Sequence, residues 1–216
     1  MTFRSAFGAM AIMAASAWSQ NAYATVVLTD NFNSDAQMLN WTGDLVFNVV
    51  PNPPVAGMSS VDLIGAGGAF DFYPGNGNYV DLDGSTGNGN NPAGVIQSVA
   101  TFGPGSYSLA FDLGGNARGA PAQTTTIKLG SYTDNITLSS GDLLTLYTLN
   151  FVTTSSGSLS FTDQGPSDQQ GNILDNVALS ATPLPAALPL FAGGLGLFGF
   201  LSRRKKQKAL SGFAAA

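Results

Sequence analysis

The sequence predicts an all-β fold, and three observations carry that expectation. Charged residues make up only 10% of the 216, and all thirteen acids are Asp, so the Glu, Lys and Arg that cover most exposed helices are nearly missing. Gly (27) and Pro (11) punctuate the chain at turn-like intervals. Between those turns lie short runs in which apolar and polar residues alternate, the period of two expected of a sheet with one buried face. The 44% apolar content supplies a core and excludes a disordered chain. With no Cys, disulfides cannot hold the fold, and the compartment is read from targeting segments instead.

Residues 1 to 24 read as a cleaved secretory signal. Arg4 is the lone early charge, "AFGAMAIMAASAW" is apolar but too short to span a bilayer, and Ala22-Tyr23-Ala24 has the small-x-small pattern of a cleavage site. A β-type sequence, "TVVLTDNF", begins at once after it.

Residues 25 to 181 form the predicted ectodomain. "SYSLAFDL" (106 to 113) sets Tyr107, Leu109, Phe111 and Leu113 against Ser106, Ser108, Ala110 and Asp112. "TTTIKLG", "LYTLNF" and "SLSF" alternate in the same way, and "LVFNVV", "VDLIG", "NYVDLDG", "GVIQSVATF", "NITLS" and "NILDNVALS" bring the count to about ten strands. That many short strands in one domain predict a jelly-roll β-sandwich. The ectodomain holds all thirteen Asp but only Arg118 and Lys128, a net charge of −11. Nucleic acid and anionic membrane surfaces need clustered cations and are excluded as its partners.

Residues 182 to 208, "TPLPAALPLFAGGLGLFGFLSRRKKQK", close the working part of the chain, and residues 209 to 216 follow as a short extension. From Leu184 to Leu201 the run carries no charge, and as a helix it is about 27 Å long, close to a ~30 Å hydrocarbon core. Arg203, Arg204, Lys205, Lys206 and Lys208 then stay cytoplasmic by the positive-inside bias, which leaves the ectodomain outside the inner membrane. Pro183-Leu184-Pro185, the apolar helix and the basic run resemble the PEP-CTERM sorting tail of Gram-negative bacteria, with Leu184 where the family's pattern has Glu. The resemblance implies processing by an exosortase-type enzyme, transfer to the cell surface and association with exopolysaccharide or biofilm matrix.

The succession "GNYVDLDGSTG", "GVIQSVATFGPGSYSLAFDLGGN", "TTIKLG", "GNILDNVALS" resembles the galactose-binding-like jelly rolls of bacterial surface proteins and carbohydrate-binding modules. In those modules a structural calcium ties the first strand to the last, which here implies Asp30 or Asn33 joined to Asp175. Asp175 also shares parity with Ile173, Val177 and Leu179, so a buried face there would carry a carboxylate in need of a partner. Ca²⁺ is one such partner, and backbone N–H groups of a neighbouring loop are the other.

Without His, Cys or Glu, the chain cannot build a Ser-His-Asp triad, a thiol nucleophile or a His-ligated zinc site. The expectation is therefore a non-catalytic module that binds carbohydrate or serves a structural role. Exposed rings beside amides would hold a sugar, and Trp41, Tyr73 and Tyr132, with Asn76 and Asn78, are the candidates. For Trp41 a core position is the simpler reading, since it immediately precedes a strand. The alternative function is an Asp-dependent glycan hydrolase built on Asp81 and Asp83, about 7 Å apart on one strand face. A strand end leading into the Gly84 turn accounts for that pair more simply.

Overall fold

The computed structural model describes residues 24–50, 60–85, 93–166 and 168–182. The signal segment up to residue 23 and the tail, including Pro183, Leu184, Pro185, Arg203, Arg204, Lys205 and Lys206, lie outside the described residues. Among the described residues, no helix is long and apolar enough to cross a membrane.

Twelve strands run through the described residues: β1 (Thr25–Asp30), β2 (Met38–Trp41), β3 (Phe47–Val50), β4 (Val61–Gly65), β5 (Asn78–Asp81) and β6 (Val95–Ser98). They continue as β7 (Gly105–Gly114), β8 (Gln123–Leu129), β9 (Tyr132–Leu138), β10 (Thr145–Thr153), β11 (Leu159–Asp163) and β12 (Ile173–Thr182). One sheet has the order β10-β7-β12-β5-β4-β2, with β1 added beside the second half of β12; the other has the order β3-β6-β11-β8-β9. All pairings are antiparallel, so the ectodomain is the two-sheet all-β fold that the alternation predicts.

The period-two pattern decides which side chains meet between the sheets. In β7, Tyr107, Leu109, Phe111 and Leu113 are buried while Ser106, Ser108, Ala110 and Asp112 are not, and in β11 Leu159 and Phe161 point inward. Phe111 and Phe161 touch edge to face across the gap, with ring centroids 5.3 Å apart. Ile127, Leu129, Val80, Leu82 and Leu174 fill the space around them. A second, smaller apolar cluster, Ile64, Tyr79 and Ile173, lies on the outer face of the seven-stranded sheet, with Phe72, Tyr73 and Leu144 packed over it.

The parity that the sequence gives Asp175 breaks inside β12. The register against β7 slips between Asp175 and Ala178, and Asn176 sits there at φ 50°. This bulge inserts a residue, so Leu174 and Val177 both face the core while Asp175 shares the outer face with Ile173 and with Asp112, its partner across the ladder. Strand β2 is a second departure. "MLNW" has no alternation, and its pairing with β4 is irregular, with Asn40 at φ 58°.

Phe111 is fully buried at the centre of the core, so Phe111→Ala should cost about 3 to 5 kcal/mol. That lowers the melting temperature by about 6 to 20 °C for a domain of this size. Leu146, exposed on the outer face of the edge strand β10, should change stability by no more than about 0.5 kcal/mol when cut to Ala. Thermal melts of the two variants check both values.

Candidate functional site

The loop between β4 and β5 folds back over the outer face of the seven-stranded sheet, and tyrosines pin it there. The Tyr79 hydroxyl accepts the Phe72 and Tyr73 N–H groups at 2.5 and 3.1 Å. The Tyr73 hydroxyl reaches the carbonyls of Gly115 and Asp142 at 2.7 and 2.9 Å, so it staples this loop to two others. Arg118, from the loop between β7 and β8, lies over the Phe72 ring at 4.8 Å and donates from Nη2 to Asp81 Oδ2 at 2.5 Å.

These loops enclose a hollow of about 200 Å³, lined by Asp62, Ile64, Phe70, Asp81, Ser85, Arg118, Asp168, Gln169 and Gln170. Phe70 is 43% exposed and forms the ridge between this hollow and a second one beside Met38, Leu39 and Ala69. A bare aromatic face beside amide, guanidinium and carboxylate groups is the arrangement that stacks on a sugar ring and hydrogen-bonds its hydroxyls. A wider and more open groove of about 470 Å³ runs past Thr29, Asp30, Asn31 and Asn176, but no aromatic ring lines it.

The five sugar-contact candidates read from the sequence are not brought together. Trp41 is 5% exposed and packs edge-on against Phe32 with centroids 6.0 Å apart, a core position that leaves no face for a ligand. Tyr132 stacks on Phe151 at 3.9 Å, which covers one ring face, and its hydroxyl donates to Asp134. Tyr73 is spent on the staple, and Asn76 closes the turn by donating to Tyr73 O at 2.9 Å. Asn78 is buried, with Nδ2 donating to Asp35 O. Phe70 is not among those candidates, because a Phe ring carries no polar group to mark it as a sugar contact. Its signal is "GGAFDFYPG", where aromatic residues stand in a Gly-rich turn.

Both carboxylates of the hydrolase alternative serve the architecture. Asp81 accepts from Arg118, from Gly171 N at 2.9 Å and from Asp83 N at 3.1 Å. Asp83 Oδ2 accepts the Asp168 and Gln169 N–H groups at 2.9 and 2.8 Å. Asp62, opposite Asp81 on β4, is likewise held by Asn40 N, Ser85 N and the Ser85 hydroxyl.

Asp30, Asn33 and Asp175 each have partners of their own, and the field of Asp30 reaches Asp175. Asn33 Oδ1 accepts Asn78 N at 2.6 Å, and Asp175 accepts Asn176 N at 2.7 Å, from the next residue of its own strand rather than from a neighbouring loop. Asp30 instead meets Asp35 and Asp44: its Oδ1 takes Phe32 N, Asp44 Oδ1 takes Val46 N and Phe47 N, and Asp30 Oδ2 and Asp35 Oδ2 are buried without a partner. Among the described residues, no three acidic side chains are already arranged to hold a metal ion.

Burial pushes the Asp81 carboxyl up against the pull of Arg118 and the Asp83 N–H, but every group that its oxygens bond is a donor, so it stays ionised beside Arg118. Asp175 is pushed to about 7 by burial, resisted by the Asn176 N–H and reinforced by Asp112 and Asp30. Asp175 therefore holds its proton more tightly folded than unfolded, where the pKa is about 3.9. Folding takes up a proton there above about pH 4, and the stability this group contributes at low pH is lost as pH rises through 7. In metal-free buffer the protein should melt higher at pH 5 than at pH 8.5, and Asp175→Asn should flatten the slope. A melting temperature that peaks at pH 8 would contradict this.

No family profile and no curated protein matches the chain. Among solved structures, it is similar to the CBM22-1 and GH10 modules of endo-1,4-β-D-xylanase 10B from Clostridium thermocellum, complexed with xylohexaose, at 11% identity and a TM-score of 0.42. That likeness covers 74% of this chain and 29% of the xylanase polypeptide. A cleaved adhesin domain of Lys-gingipain from Porphyromonas gingivalis is similar at 13% identity and a TM-score of 0.47, covering 73% of this chain and all of that domain. A family 35 carbohydrate-binding module from Clostridium thermocellum follows at 12% identity and a TM-score of 0.34, covering 62% of this chain and 96% of the module.

Proposed function

We propose that the protein is an exported, surface-sorted, non-catalytic module that binds a neutral glycan through the hollow beside Phe70. The observation that carries this reading is the exposed Phe70 ring standing next to Gln169, Gln170, Asp168 and Arg118. Stacking supplies affinity from the apolar face of a sugar, and the polar rim selects its hydroxyl pattern. The net charge of −11 over residues 25 to 181 argues against polyanionic ligands and for a neutral one. Asp81 and Asp83 are held by Arg118 and backbone N–H groups, which weighs against the hydrolase alternative, since neither is free to exchange a proton with a substrate.

Export rests on the two terminal segments of the sequence. The leader directs the chain across the inner membrane, and the Pro183-Leu184-Pro185 signature with its apolar run and basic cluster presents it to an exosortase-type enzyme. The ectodomain then works at the cell surface or in the exopolysaccharide matrix. Surface-associated protein should lack residues beyond about 183 and should vanish when the processing enzyme is deleted. Recovery of only full-length chain in the inner membrane, unchanged by that deletion, reduces the tail to a plain anchor.

A glycan array probed with the purified protein should return neutral polysaccharides. Phe70→Ala should weaken that binding about tenfold, or ~1.4 kcal/mol, and lower the melting temperature far less than Phe111→Ala does, because the ring is 43% exposed and rests only partly on Phe72. Unchanged binding by Phe70→Ala rules out the hollow as the site. Turnover of any glycan that is abolished by Asp81→Asn restores the hydrolase.

A further inference from the structure

The interior of the sandwich changes from apolar to polar at the end covered by the loop between β11 and β12. Asp163 of β11 pairs with Thr125 of β8 across the ladder, and Gln123 precedes Thr125 by two residues, so all three side chains share the inner face. Asn172 meets them from the opposite sheet, just before β12. Its Nδ2 donates to Gln123 O at 3.2 Å and to Thr125 Oγ1 at 3.0 Å. The Gln123 amide lies against Gly165, where a Cβ would fall 1.0 Å from Oε1, and the Gly165 N–H donates to Asp163 Oδ1 at 3.0 Å.

Gln123 and Asn172 are 0% exposed and Asp163 is 3% exposed, yet Gln123 Oε1, Asp163 Oδ2 and Asn172 Oδ1 have no hydrogen-bond partner. Gln123 Nε2 is unpartnered as well, so this amide surrenders no bond by turning its oxygen to a ligand. Orphaned buried polar atoms are rare in folded proteins, and three acceptors in one cluster call for a common partner. Charge makes the same demand. Asp163 lies close to Asp83, itself buried, and to Asp168, so its neighbours of like charge outnumber its N–H donor. The two bases among the described residues are engaged elsewhere: Arg118 is paired with Asp81, and Lys128 is exposed on the outer face of β8.

We propose that Gln123 Oε1, Asp163 Oδ2 and Asn172 Oδ1 form a divalent cation site of the calcium type. One carboxylate with two amide carbonyls is hard-oxygen chemistry, which suits Ca²⁺. A trapped water would satisfy the oxygens but would leave the buried Asp163 carboxylate without a countercharge. With a single ligating carboxylate the site belongs at the weak, extracellular end of the range, about 10⁻⁴ to 10⁻³ M. The cation ties β8 and the end of β11 to the residue before β12. It therefore holds both ends of the loop that carries Asp168, Gln169 and Gln170 into the hollow. The cation site stands whether or not the hollow takes a glycan.

The test is calcium binding by equilibrium dialysis, together with melting of the purified full-length chain in calcium and in chelator. Calcium at ten times Kd should raise the melting temperature by about 3 to 6 °C. Asp163→Asn, nearly the same shape, should lose the shift and the bound metal. Gln123→Glu breaks no hydrogen bond of the side chain and adds a carboxylate, so it should bind calcium at least about tenfold more tightly and show a larger shift. Asp30→Asn should leave the shift intact. The proposal is overturned if neither the wild type nor Gln123→Glu binds calcium. It is equally overturned if Asp30→Asn erases the shift while Asp163→Asn keeps it, which moves the cation to the Asp30, Asp35 and Asp44 trio. Should Asp163→Asn fail to fold, Gln123→Glu decides alone.

Discussion

The Asp81–Arg118 ion pair is the knot to which the loop-covered end of this sandwich is tied. Asp81 ends β5 and Arg118 comes from the loop between β7 and β8. The same carboxylate accepts Gly171 N from the loop between β11 and β12, and the same guanidinium covers Phe72 in the loop between β4 and β5. Three loops far apart in sequence thus converge on one buried charge. Such a pair gains little net stability, because desolvating two ions offsets most of their attraction. Its use is positional: with either partner gone, the other is left buried and unpaired, so the loops are held in one arrangement.

The hollow inherits its shape from that knot. Phe70 is exposed because Phe72 is held down by Arg118 and Tyr73 by its two carbonyl partners, which leaves the ring between Ala69 and Asp71 to project. Asp168 and Gln169 stand on the opposite wall because Asp83 grips their N–H groups. The positioning groups are thus two tyrosines, Tyr73 and Tyr79, two carboxylates, Asp81 and Asp83, and Arg118, which also lines the hollow.

Alternation made the strands legible wherever one face was buried and one was wet, as in "SYSLAFDL". It failed where the backbone departs from a regular ladder. The bulge at Asn176 reverses the parity of β12, so a reading that carried Val177 and Leu179 back to Asp175 put its carboxylate on the wrong face. The site was less legible than the fold. Tyr73 and Asn78 have the right chemistry for a sugar, but their polar atoms are consumed by loop carbonyls that only the tertiary structure brings near. Gln123 and Asn172 look like ordinary strand ends, and their burial depends on two sheets meeting.

The absence of Glu has a structural cause in the turns. Asp30, Asp44, Asp81, Asp163 and Asp168 each accept the N–H two residues ahead, at 2.6 to 3.1 Å. Asn31 and Asn116 do the same. This closure requires a carboxylate or amide one methylene from the backbone; the longer Glu side chain does not fit the ring. A sandwich with many strand ends and few bases thus spends its acids on turns, and the acidity of the chain is first a record of its loops. Each such Asp satisfies one oxygen locally and presents the other to its surroundings. Where that second oxygen meets Arg118, as at Asp81, the turn is complete. At Asp163 the second oxygen is buried without a partner while two further carboxylates act on it, which is the environment that the proposed cation would satisfy.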